Sequence, residues 1–110
     1  MTRMKLDDAS ARLEALGNPT RLKIYRALVR AGQPGLSVGK LLDIVAVAPS
    51  TLSHHLKALV VVGLVTQTRE ATTLICSANY EVMNDLLSFL VDECCVEGCA
   101  VELPGAKTAA

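Results

Sequence analysis

The sequence predicts a mainly α-helical fold with one small β-hairpin, in the order helix-helix-helix-helix-strand-strand-helix. Three observations carry this. Apolar residues recur at spacings of three and four in five separate segments. Between the fourth and fifth, LVTQT and TTLICSA have the Val, Thr and Ile content of short strands. Gly or Asn-Pro stands at most of the breaks. With 110 residues the chain makes one domain, and with no Trp and one Phe its core must be built from Leu and Val.

The first helix is expected within residues 1–17, where Leu6, Ala9, Leu13 and Leu16 form a narrow stripe and Gly17 is a stop. Asn18-Pro19 is a strong helix start, Asn as N-cap and Pro in the first turn. Helix two, about 19–31, is expected to pack with Leu22, Tyr25, Leu28 and Val29 and to show Arg21, Lys23, Arg26 and Arg30 to solvent. Gly32-Gln33-Pro34-Gly35 breaks it. Ser37 can cap a third helix, about 38–45, with Val38, Leu41, Leu42 and Val45 inward. A turn at 45–48 follows, with Ala46 where such turns often carry Gly, and Ala48 is a poor N-cap for the next helix.

That next stretch, APSTLSHHLKALVVVGLV from Ala48 to Val65, separates into two faces on a helix. Leu52, Leu56 and Leu59 fall within about 40–60° of one another, an apolar stripe facing a core. Ser50, Ser53, His54 and Lys57 lie opposite, all able to hydrogen-bond. Gly63 can end the helix. The two strands then follow, separated by Arg69-Glu70-Ala71, which places Arg69 near the tip of a wing. Asn79 can cap the last helix, whose stripe is Met83, Leu86, Leu87, Leu90, Val91 and Cys94. The whole is a winged helix-turn-helix with a long helix at each end, and the leucine-backed helix, with its Ser/His/Lys front, has the shape of a DNA recognition helix. The terminal stripes have no other surface to cover, and pairing them with a second copy gives a two-fold dimer.

Net charge is zero, but it is unevenly placed. Residues 1–70 hold ten Lys/Arg against five Asp/Glu, and residues 71–110 one Lys against six Asp/Glu. A basic body with an acidic C-terminal part suits a protein that offers one surface to phosphates. No run reaches the ~18–20 apolar residues of a membrane span, and MTRMKLDDAS has charges where a signal peptide is apolar. The expectation is a cytoplasmic protein without a membrane partner.

The segments ALGNPTRLKIYRAL, APSTLSHHLKALVVVGLV and SANYEVMNDLLSFLVDECC resemble the ArsR/SmtB family of metal-responsive repressors over about residues 10–95. The ending ECC after SANYEVMNDLL is similar to the arsenic-responsive branch. The resemblance implies a dimeric repressor, not an enzyme, bound to double-stranded operator DNA and released by an inducing ion. It implies DNA contacts at Ser50, Thr51, Ser53, His54 and Lys57 and a wing contact at Arg69. Lys57 and Arg69 then touch phosphates, while Ser53 and His54 are placed to read base edges. His55, on the flank of the leucine stripe, reads as a packing or backbone-positioning residue. Residues 1–100 are the DNA-binding and dimerisation domain, and 101–110 a mobile tail.

The thiol pair that arsenic-responsive relatives often carry at the start of the third helix is replaced here by Ser37 and Gly39, and the His/Asp zinc sites of other relatives have no counterpart. What remains is Cys94, Cys95 and Cys99. On an unbroken helix Cys94 and Cys95 point about 100° apart and Cys99 lies about 140° from Cys94. They converge only if the helix ends near Cys95 and the chain folds back, which Val96-Glu97-Gly98 permits. Three thiolates without imidazole suit a soft ion, As(III) or Sb(III), with no organic cofactor. Zinc would require a fourth ligand, Glu97 or water. Other readings are Cys94 as a small hydrophobe of the dimer stripe, or a Cys95–Cys99 disulfide or redox switch. Cys76 alternates with strand residues and reads as structural.

The expected function is a repressor of an arsenic-resistance operon. A same-fold sensor of Cd(II), Zn(II) or thiol oxidation is the nearest alternative. A thiol-based arsenic carrier, a small thiol enzyme or a dimerising module without DNA affinity would leave LSHHLKAL without a role.

Overall fold

The computed structural model of the chain describes residues 4–98. Five helices and three strands run as α1 (Leu6–Leu16), α2 (Pro19–Ala31), β1 (Leu36–Ser37), α3 (Val38–Val45), α4 (Pro49–Val61), β2 (Val65–Glu70), β3 (Thr73–Ala78) and α5 (Tyr80–Val91). The expected tail, 101–110, lies outside the described residues.

Local chemistry sets the helix starts. Asn18 Oδ1 accepts the Arg21 N–H at 3.0 Å, with Pro19 in the first turn of α2. Ser37 Oγ accepts from Lys40 at 3.2 Å at the head of α3, and Asn79 Oδ1 from Val82 at 3.2 Å at the head of α5. α4 enters through Ala48 without a side-chain cap, as its residue type implies. Ala46 ends α3 in the left-handed region, φ 55° and ψ 48°, a conformation that is strained for a residue with a Cβ.

The core lies between α2, α3, α4 and the sheet. Ile24, Leu28, Leu41, Leu52, Leu59, Leu64, Val65 and Cys76 are its fully buried large side chains. Truncating one of these leucines to Ala would cost about 2–5 kcal/mol, the lost transfer energy plus the cavity. α2 presents Ile24, Tyr25 and Leu28 to this core. Leu22, expected there, is exposed and lines an apolar groove beside α1 and α5. Arg21 also departs from expectation: it turns inward to bond His55 rather than facing solvent.

The sheet has three strands, not two, in the order β1-β3-β2, all antiparallel. β1 pairs Leu36 with Cys76 and Ser37 with Ile75. Two residues are too short to show a period of two, so the pattern was silent. The close approach is made by Gly35 at φ +73°, where a Cβ would collide with the Cys76 carbonyl oxygen and the Ser77 hydroxyl. The hairpin also runs further than expected. Arg69 and Glu70 belong to β2, opposite Leu74 and Thr73, and the turn is Ala71-Thr72 with Ala71 at φ 56°.

α5 stops at Val91, so Cys94 is outside the helix and leaves the apolar stripe. Asp92 and Glu93 fall at its carbonyl end, where negative charge opposes the helix dipole, and the last turn of α5 carries no basic residue. Residues 92–98 continue as successive turns, with Cys94 N–H on the Val91 carbonyl at 2.9 Å and Val96 N–H on that of Glu93 at 3.2 Å.

Candidate nucleic-acid interface and thiol pair

α3 and α4 meet at a bend of 109°, within the range of helix-turn-helix units. Leu52, Leu56 and Leu59 anchor the back of α4 in the core. That fixes the opposite face outward, and Ser50, Thr51, Ser53, His54 and Lys57 are all exposed on it. Ser53 and Lys57 line a groove of about 300 Å³ together with Gln67 of β2 and Leu74 of β3. Residues two apart on a strand share a face, so Arg69, exposed and one pair from the wing's tip, lies on the same side of β2 as Gln67. Five side chains of the helix and wing thus border one surface, Ser53, Lys57, Gln67, Arg69 and Leu74, and Gln67 is a member the sequence reading did not name. Alternation with Arg69 was the signal that could have found it. Gln67 Nε2 also donates to Cys76 Sγ at 3.5 Å.

His55 sits between the reading face and the buried stripe, and its Nδ1 accepts from Arg21 Nε at 3.2 Å. Burial first, then the positive charges of Arg21 and His54, hold its imidazole below the ordinary histidine range. The His54 and His55 rings meet edge to face, centroids 5.5 Å apart.

At the other end of the fold, Cys94 Sγ and Cys95 Sγ are 3.2 Å apart and both residues are exposed. The convergence depends on the end of α5 and on Cys95, whose φ of 63° turns the chain back. The hydrogen bond between the thiols, followed by burial and the charge of the neighbouring sulfur, pushes the Cys94 thiol up. Cys99 lies outside the described residues. Among the described residues no group of three His, Cys, Asp or Glu is placed to hold a metal ion. Cys76 is fully buried in the core, far from any such role, and burial pushes its thiol up.

The family described as "Helix-turn-helix domain" matches residues 16–68, α2 through most of β2. The transcriptional regulator YgaV of Escherichia coli is 33% identical over 89 residues, 81% of this chain and 88% of the relative. An ArsR-like transcriptional regulator from Rhodococcus sp. RHA1 superimposes with a TM-score of 0.70 at 26% identity, covering 78% of each chain. The chain belongs to the ArsR family of helix-turn-helix transcriptional regulators. A further ArsR-type neighbour, a possible regulator from Mycobacterium bovis, is a homodimeric winged helix-turn-helix DNA-binding domain by solution NMR; it matches with a TM-score of 0.65 at 27% identity, over 80% of this chain and 82% of that one. As an ArsR-family protein this chain is a transcriptional regulator and not an enzyme. Among its described residues no single helix is long and apolar enough to cross a membrane.

Proposed function

We propose that the protein is a homodimeric repressor that reads operator DNA with α4 and the wing and releases it when As(III) or Sb(III) binds Cys94, Cys95 and Cys99. The observation that carries the ion's identity is the Cys94–Cys95 sulfur pair, brought to 3.2 Å by the frayed end of α5. A pair already converged needs one further sulfur, from Cys99 four residues on, to complete a trigonal site for a soft ion. DNA contact is assigned to Ser50, Thr51, Ser53, His54, Lys57 and Arg69, which share the exposed side of helix and wing.

The dimer reading is supported by what α1 and α5 leave uncovered. Leu6, Leu13, Leu87, Leu90 and Val91 are all exposed, and an apolar groove of about 560 Å³ runs between α1, α2 and α5. The Tyr25 hydroxyl, on the groove's wall, is buried without a hydrogen-bond partner. A second copy's α1 and α5 would cover this face and set two recognition helices about one helical turn of DNA apart.

Induction requires the ion to bind the DNA-incompetent form more tightly. A coupling of about 3 kcal/mol would weaken operator binding roughly 150-fold. The test is fluorescence anisotropy on a duplex from immediately upstream of the protein's own coding sequence, with and without arsenite. Loss of affinity that disappears when Cys94, Cys95 and Cys99 are changed to Ser is expected. No loss, or loss that persists in that variant, refutes the arsenic reading. Parallel titrations with Cd(II), Zn(II) and peroxide separate it from the same-fold alternatives.

A further inference from the structure

Two arginines fasten α4 to the helices behind it. Arg12 Nε of α1 donates to the Val62 carbonyl at the end of α4, at 2.8 Å. Arg21 of α2 reaches two elements at once: its Nε donates to His55 Nδ1 at 3.2 Å, and its Nη1 to the Ala15 carbonyl of α1 at 3.5 Å. The Arg12 contact ends on a backbone oxygen and does not titrate. The Arg21 contact ends on an imidazole lone pair.

Arginine has donors and no acceptor, so this bond requires a neutral His55 with its proton on Nε2. A second proton would occupy Nδ1, abolish the acceptor and set two cations against each other. The charges that act on His55 are positive, those of Arg21 and His54. α2 contributes Arg21; α1 contributes Arg12, engaged at Val62, and Glu14, exposed. Arg69 and Glu70 lie at the exposed tip of the wing, and α4 itself contributes His54 and Lys57. His55 therefore faces a cation where a proton sensor stabilised in its charged form would face a carboxylate. The ring also meets that of His54, on the exposed face of α4, edge to face.

We propose that Arg21 and His55 are a positioning pair: the neutral imidazole seats the recognition helix on α1 and α2, and its protonation loosens that seat and weakens DNA binding. This rests on α4 being the DNA-reading helix. The Arg12 bond persists at all pH values, so the loosening is a pivot about the end of α4 and not a detachment.

Hydrogen exchange on the free chain tests the seat without DNA. From about pH 7.5 to about pH 4.5, a span that reaches well below the ordinary histidine value because His55 is held beneath it, protection of α4 amides corrected for intrinsic rates should fall about tenfold, the factor one charge-assisted hydrogen bond carries. His55→Asn offers Arg21 an oxygen acceptor that does not titrate and should keep its protection at both values; His55→Leu should lack it at both. Affinity for a fluorescein-labelled duplex from immediately upstream of the protein's own coding sequence should follow the same pattern. Wild-type protection that is flat with pH overturns the proposal. So does a pH dependence that survives in His55→Asn, or one that vanishes in His54→Asn instead. If protection behaves as expected but no duplex binds at either pH, the positioning pair stands and the assignment of α4 as the reading helix fails.

Discussion

At the scale of single residues, the exposed face of α4 divides by chemistry. Lys57 carries a flexible point charge suited to phosphates; Ser53 and His54 carry directional donors and acceptors suited to base edges. Lys57→Ala is expected to weaken binding to all duplexes alike and to lower the salt slope by about one. His54→Ala should cost about 1–3 kcal/mol on the operator and little on unrelated DNA. Anisotropy at several salt concentrations on both duplexes distinguishes the two. His55, one residue on, acts inward, and its effect on stability has a definite sign. Its folded imidazole is held below the ordinary range, so as pH falls the unfolded chain takes up the proton first. The contribution is whole above about pH 6.5 and is lost as pH falls through the lower folded value. Urea midpoints should therefore drop on acidification in the wild type and drop less in His55→Asn.

At the scale of elements, most of the architecture was legible because burial and periodicity agree. The limits of α2 and α3 fell where Asn18, Pro19 and Ser37 placed them, and the leucine stripe of α4 is the buried one. What stayed hidden has specific causes. β1 is two residues long and exists through a glycine's close approach, which leaves no pattern. Leu22 looked like core because it is apolar, but it faces the groove that α1 and α5 border. Arg21 looked solvated because it is charged, yet its partner lies 34 positions away in the sequence. The early end of α5 was readable as a possibility from Val96-Glu97-Gly98, but the helix already stops at Val91, before the acidic pair Asp92-Glu93. At the α3–α4 turn the sequence departs from the residue its backbone favours. Ala46→Gly should relieve the left-handed strain and raise stability by about 0.5–1 kcal/mol, read from urea denaturation, after allowing for glycine's own entropy.

At the scale of the whole molecule, the fold separates a reading end from an uncovered apolar end. Replacing Leu87 and Leu90 by Glu, both more than half exposed, should leave the helical signal by circular dichroism intact and convert the species in sedimentation velocity from dimer to monomer. DNA affinity should fall with it, because one head holds fewer phosphates than two. The small strand β1 has a consequence for how such a protein could respond to a ligand. It ties the approach to α3 onto the middle strand of the wing, while Tyr80 Oη donates to the Val29 carbonyl at 2.9 Å and ties the root of α5 to α2. The approach to α3, the wing and the root of α5 are thereby joined into one plate, on which α4 is held by its buried leucines and the two arginines. Under the proposed function, an ion bound at the thiols would tilt that plate as a unit, and operator DNA would sense it chiefly as a change in spacing between two plates.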